Sequence, residues 1–155
     1  MRLLILVGTV TGTAASVAQA IAMEAGASGL SAEVCPMDEA TLDVFEQPQT
    51  LFLICTSTHG AGDVPDNTRR LFDALALEPR FLGQVRYGVL GLGDRAGHGA
   101  TFCEAALQFD ARLSDLGARR VGEVYCLDAA EDPLPEPAGV EWFRAWLPQA
   151  RAQMP

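Results

Sequence analysis

Residues 3–7 form an unbroken run of branched apolar side chains, the signature of a strand covered on both faces rather than on one. The run stops at Gly8-Thr9-Val10-Thr11-Gly12, a turn. Over residues 13–27, Ala14, Val17, Ala18, Ile21, Ala22 and Ala25 recur at helical spacing, and the glycines at 26 and 29 supply the stop. Residues 30–35 alternate briefly before Pro36 and predict a second strand, with a short helix expected around 39–46. Residues 51–55 repeat the buried-strand pattern. A glycine-punctuated loop, 56–64, then leads to Pro65-Asp66-Asn67, which opens a helix running to Leu77. The unit recurs twice more. A fourth strand is predicted over 85–92 and a helix over 102–116, stopped by Gly117. A fifth strand follows over 121–127 and a last helix over 139–150. The acidic, proline-rich stretch 128–138 reads as the connector between those two.

Strands alternating with helices require a parallel sheet covered on both faces, because each crossover is right-handed and must bury its apolar stripe. The expected class is therefore α/β, a doubly wound three-layer sandwich. At 155 residues and 49% hydrophobic, residues 1–155 suffice for one core and not for two.

Charge narrows the function. The net charge of −9 excludes a nucleic-acid binder, which needs a basic stripe. The cations number eleven, all arginine. None lies between Arg2 and Arg69, a stretch that holds Glu24, Glu33, Asp38, Glu39, Asp43, Glu46, Asp63 and Asp66. Such a field attracts basic partners. Cys35, Cys55, Cys103 and Cys126 form no C-x-x-C pair and no zinc-ligand spacing, as expected of buried thiols in a reducing cytoplasm. No run approaches the roughly 20 apolar residues of a membrane span. A signal-peptide reading of the N-terminus is disfavoured, since Gly8 and hydroxyl residues break its apolar run.

In doubly wound sheets, ligands bind at the carboxyl ends of strands where the strand order reverses. That directs attention to loops 8–15, 56–67 and 91–102. The first sets Thr9, Thr11, Thr13 and Gly12 at a helix N-terminus, an anion site built from N–H and O–H donors. No lysine follows, so it is not a Walker loop, nor is it G-x-G-x-x-G. The plain alternative is an ordinary hydroxyl cap. In the second loop, Ser57-Thr58-His59-Gly60-Ala61-Gly62-Asp63 is too polar and too rich in glycine for a mere connector; the alternative is a tight turn capped by Asp63 and Asp66. The third, Gly91-Leu92-Gly93-Asp94-Arg95-Ala96-Gly97-His98-Gly99-Ala100, has the same character. Both histidines of the chain, His59 and His98, fall in these loops.

These three segments, with Pro65-Asp66-Asn67 after the second and Phe102-Cys103 after the third, resemble the flavodoxins, which bind FMN. The similarity is greatest to the short, MioC-type flavodoxins and to the FMN domains of diflavin reductases, and it spans nearly the whole chain. It implies a flavodoxin-like five-stranded parallel sheet in the order 2-1-3-4-5. It also implies that Thr9, Val10, Thr11, Gly12, Thr13 and Ala14 hold the FMN phosphate. Ser57, Thr58, His59, Gly60, Ala61 and Gly62 would line one side of the ring, with the Gly60 carbonyl turning toward flavin N5 as the ring gains an electron. Leu92, Gly93 and Asp94 would meet the pyrimidine edge, with Phe102 and Cys103 beyond. The pattern departs in the third loop. Gly97 stands where relatives have a tyrosine, and Phe102 comes two residues late, so His98 is the candidate outer stacking partner.

The expected function is electron transport: a monomeric carrier shuttling single electrons from a basic-faced flavodoxin reductase to acceptor redox enzymes, without a substrate of its own. The alternatives are a small FMN-dependent quinone or nitro reductase and a flavin-free protein-binding module.

Overall fold

A computed structural model describes residues 1–9, 12–58, 65, 68–78, 80–93, 103–128 and 134–155. Among these residues six strands form one sheet: β1 (Arg2–Gly8), β2 (Ser31–Pro36), β3 (Thr50–Ser57), β4 (Arg86–Gly93), β5 (Arg119–Arg120) and β6 (Tyr125–Asp128). The helices are α1 (Thr13–Ala27), α2 (Arg69–Leu77), α3 (Glu104–Asp115) and α4 (Pro135–Ala152). The order is β2-β1-β3-β4-β5, with β6 also on β4 and every pairing parallel. This matches the expected order.

The unbroken apolar runs have a direct cause. On β1, Leu3, Ile5 and Val7 pack with α1 and α4, while Leu4 and Leu6 pack with α2 and α3 on the opposite face. The same division holds along β3, where Leu51, Leu53 and Cys55 face one way and Phe52 and Ile54 the other. Both faces of the sheet are dry, so alternation has no place in these strands.

Three expectations need correction. The fifth strand is broken. From Tyr87 to Leu90 is three steps along β4, but their partners Arg120 and Tyr125 are five apart. Two extra residues are thus accommodated at 121–124, where Gly122 takes φ +73, a conformation that no strand propagates. Val121 is fully buried there, its carbonyl accepting the Trp146 indole N–H at 3.0 Å. Second, α4 begins at Pro135, inside the stretch read as a connector; proline suits a first helical turn because its missing N–H would have had no partner. Third, the short helix near 39–46 is two 3-10 turns, Met37–Glu39 and Leu42–Glu46.

Trp142 and Trp146 belong to the packed face of α4, as their spacing predicts. Trp146 is buried and stacks on Trp142, which stacks on Tyr125. Arg69, Arg70, Arg119 and Arg120 all lie exposed, and Arg120 pairs there with Asp110 at 2.5 Å. Two thiols, Cys55 and Cys103, are buried; Cys35 and Cys126 are half-buried.

Candidate functional site

The carboxyl ends of β1, β3 and β4 lie side by side, with Gly8 opposite Thr56 and Ser57 opposite Leu92. The three loops singled out in the sequence therefore leave the sheet at one edge, on neighbouring strands.

At the end of β1, Thr9 is half-buried and its Oγ1 accepts the Gly12 N–H at 2.8 Å. Gly12 occupies the cap position of α1 at φ +93, and α1 carries no acidic residue in its first turn. The cap residue is thus a glycine, and no side chain caps the first turn of α1. Thr13 opens the helix and Ala14 is fully buried beneath it. The Ala14 carbonyl accepts the Cys55 thiol at 3.4 Å, and burial pushes that thiol up to about 12. Cys55 is thus a protonated packing residue that joins α1 to β3.

Thr58 joins the second loop to the third. Its N–H donates to the Leu92 carbonyl at 3.0 Å, and its Oγ1 accepts the Ala105 N–H at 3.2 Å. The second loop is held at its far end by Thr68, which is fully buried and donates from Oγ1 to the Pro65 carbonyl at 2.7 Å. Gly8 lies against the Thr68 methyl so closely that a Cβ there has no room. Similarly, a Cβ on Gly91 would stand 2.6 Å from Ala106 Cβ and 2.7 Å from Cys103 Sγ. These glycines seat α2 and α3 on the strand ends. Thr68 is the site-building residue that sequence reasoning did not single out; Gly8 and Gly91 belong to the first and third loops read from the sequence, and the structure adds that their missing side chains make room for Thr68, Ala106 and Cys103.

Of the expected ligand residues, the structure brings together Thr9, Gly12, Thr13, Ala14, Ser57, Thr58, Leu92, Gly93 and Cys103 at this edge. Ala14, Leu92 and Cys103 are buried, which leaves backbone groups as what they offer a ligand. Cys103 caps α3 at φ +65, an unusual conformation for a side chain with a Cβ. Val10, Thr11, His59, Gly60, Ala61, Gly62, Asp94, His98 and Phe102 lie outside the described residues, as do Asp63, Asp66 and Gly97. Asp128 is buried opposite Gly93 at the end of β6. Among the described residues there is no group of acidic, histidine and cysteine side chains fit for a metal ion, and no helix is long and apolar enough to cross a membrane.

The donor set suits a phosphate. First-turn N–H groups of a helix have no carbonyl partner within it, and the positive end of the helix dipole favours an anion. Thr9 Oγ1 uses a lone pair on Gly12, so its own O–H remains a donor.

Comparison with known proteins bears on the same residues. The family model described as Flavodoxin matches residues 5–142. "Flavodoxin YqcA" of Pectobacterium carotovorum is 37% identical over 150 residues, covering 96% of this chain and 97% of that one. "Protein MioC" of Escherichia coli O157:H7 is 36% identical over 97 residues, 63% of this chain and 65% of its own. Among solved structures, a cysteine-to-serine variant of a flavodoxin from Pseudomonas aeruginosa superposes with a TM-score of 0.86 at 34% identity, covering 97% of this chain and 99% of that one.

Proposed function

The chain belongs to the flavodoxin family, whose members are flavin-binding electron-transfer proteins, and we propose that its own flavin is FMN, bound across the joined ends of β1, β3 and β4. The observation that carries this reading is the start of α1, where a left-handed glycine and the Thr9 hydroxyl precede a helix of 15 residues with no acid in its first turn. Residues Thr9, Val10, Thr11, Gly12, Thr13 and Ala14 hold the phosphate without help from a cation. Hydrogen bonds to a charged group contribute about 1.5–3 kcal/mol each, so a handful suffices. Ser57, Thr58, His59, Gly60, Ala61 and Gly62 line one side of the ring; Leu92, Gly93, Asp94, His98, Phe102 and Cys103 form the other edge.

FMN supplies one-electron redox chemistry. The chain's part is to bind, orient and bias it. Thr58, tied to both β4 and α3, keeps the second and third loops in register. Asp63, Asp66 and Asp94 disfavour added negative charge at the ring and lower its potential. Protonation of His59 or His98 opposes them between about pH 5 and 8. On this reading residues 1–155 act as one monomeric cytoplasmic unit that takes electrons from a basic-faced reductase and passes them to acceptor enzymes, with no substrate of its own. The family match does not favour the quinone or nitro reductase, nor the flavin-free module.

The test is an absorption spectrum of the purified protein, then titration of stripped apoprotein with FMN followed by flavin fluorescence. Saturable quenching at one FMN per chain is expected. Failure to take up FMN refutes the reading.

A further inference from the structure

The break in the fifth strand builds a groove. Extra residues in a strand re-aim its side chains and are kept where they serve a site. Here Gly122 and Glu123 are left exposed, and the 122–125 segment and α4 enclose a groove of about 480 Å³. Its apolar wall is a run of three rings. Tyr125 and Trp142 stack with centroids 5.9 Å apart and planes 6° from parallel, and Trp142 stacks on Trp146 at 5.6 Å and 21°. Trp146 is fixed at the base: its indole N–H donates to the Val121 carbonyl, and its ring lies 2.7 Å from where a Cβ on Gly88 would stand. Trp142 and Tyr125 remain half-buried at the groove.

The polar lining consists of acceptors. Gln149 donates from Nε2 to the Ala145 carbonyl at 3.2 Å and so turns Oε1 toward Gly122, 3.7 Å from where a Cβ there would stand. Glu123 is the one charged side chain among the described lining residues. No ion pair among the described residues uses it, nor Glu141, the neighbour of Trp142 on α4. The arginines around the groove are committed elsewhere or stand off. Arg120 pairs with Asp110 and donates to the Gly122 carbonyl; Arg144 pairs with Glu24 of α1; Arg151 donates to the Ser28 carbonyl. Arg119 is exposed but lies outside the lining. Aromatic surface and acceptors therefore meet with no cation between them.

A guanidinium suits that combination, because it is planar, stacks on aromatic rings and presents its donors as a fork. We propose that the groove receives an arginine of a basic partner protein, its guanidinium against Trp142 and Tyr125, with the Glu123 carboxylate and Gln149 Oε1 accepting its N–H groups. A lysine fits less well, since its ammonium is strongly hydrated and does not stack. The net charge of −9 draws such a partner from a distance, and the groove gives it a fixed point. Tyr125 stands three residues before Asp128, about 10 Å along the strand, so the partner is set beside the ligand edge of the sheet. The inference rests on the electron-carrier reading only in taking that partner to be a redox protein; the docking itself does not depend on flavin.

The test uses the protein as purified and a capped tetrapeptide with two arginines, followed by NMR at low salt. The chain has two tryptophans, so the two indole N–H signals report on the groove directly, and Trp142→Phe assigns them. Saturable shifts are expected at the Trp142 indole and at the amides of 122–125 and 142–149 in the millimolar range. Glu123→Gln should weaken binding about five-fold, a loss of about 1 kcal/mol. Gln149→Lys, an exposed position, should weaken it about ten-fold by placing a cation in the groove. Asp38→Asn makes the same charge change as Glu123→Gln, beyond β2 at the opposite edge of the sheet, and should leave affinity unchanged. A peptide with citrulline in place of arginine has the same shape without the charge and should bind at least five-fold more weakly. Equal losses in Glu123→Gln and Asp38→Asn would mean diffuse attraction and overturn the proposal. Equal binding of the citrulline peptide overturns it too, as does a Trp142 indole that does not move at millimolar peptide. FMN titration of the same variants should match wild type. Loss of flavin binding in wild-type protein would instead sink the cofactor reading and leave the docking result standing.

Discussion

Gly8→Ala tests whether the strand end and the second ligand loop are packed as one unit. The added methyl meets the Thr68 methyl inside contact distance, with Thr56 Oγ1 at 3.0 Å. Thr68 is fully buried and β-branched, so it has two responses. It holds its rotamer and α2 shifts, or it rotates and takes Oγ1 off the Pro65 carbonyl. Overpacking costs about 1–3 kcal/mol, and a buried hydroxyl without its bond costs about the same. Against this, alanine in place of glycine restricts the unfolded chain and returns about 0.4–1 kcal/mol. The net expectation is a loss of about 1.5 kcal/mol. Thr68→Ser removes the obstructing methyl and keeps the hydroxyl; alone it should cost about 1 kcal/mol for the buried carbon. In the double variant the new methyl fills the space of the old one, so stability should return to within about 0.5 kcal/mol of wild type. That is a favourable coupling of about 2 kcal/mol. Urea unfolding of the apoprotein measures all four forms, at unchanged m-value. If the two losses simply add, or if Gly8→Ala alone is neutral, the argument from close approach fails.

The Tyr87 hydroxyl is buried and donates to Asp110 at 2.6 Å, and burial together with that carboxylate pushes its ionisation far above the ordinary value of 10.0. A raised folded-state value means a contribution complete below pH 10 and lost above it, so stability should fall by about 1.4 kcal/mol per pH unit from pH 10 upward. Tyr87→Phe should flatten that limb in urea titrations at pH 10–11; an unchanged slope refutes the assignment. Cys55, held protonated to about 12, should resist iodoacetamide at pH 8 until urea unfolds the chain, and mass spectrometry of digested protein reads this directly. Labelling at the rate of an exposed thiol contradicts its placement. At Gly12 a Cβ meets nothing within 4 Å, so only φ +93 opposes a side chain. Gly12→Ala should therefore cost about 1–2 kcal/mol, and Gly12→Asn less, since asparagine tolerates that conformation. Equal losses in thermal unfolding would point to something other than backbone strain.

The fold was legible because hydrophobic pattern and topology are local consequences of sequence. Residues 3–7 and 51–55 lack alternation since both sheet faces are buried, and that alone implied a parallel, doubly wound sheet. Helix α1 ends where its glycines stand. The ligand loops, too, could be located as hydroxyl-rich and glycine-rich segments at strand ends, because backbone freedom and donor chemistry are written in residue type. Other features depended on contacts across the chain. The break of the fifth strand at 121–124 follows from Gly122 at positive φ and from Trp146, whose indole N–H claims the Val121 carbonyl from 25 residues away. The start of α4 at Pro135 rather than at 139 has a local cause, since proline suits a first helical turn, whereas the close seat of Gly139 against Val17 is a contact across the chain. That Gly8 and Gly91 are demanded by Thr68, Ala106 and Cys103 depends on distances between residues far apart in sequence. Sequence alone determines which segments are strands, helices and donor-rich turns, because those choices are made by neighbours along the chain. Only the tertiary structure decides which turns meet, which glycines have no room for a Cβ and which charges go unanswered, because those are set by close packing between elements that the sequence keeps apart.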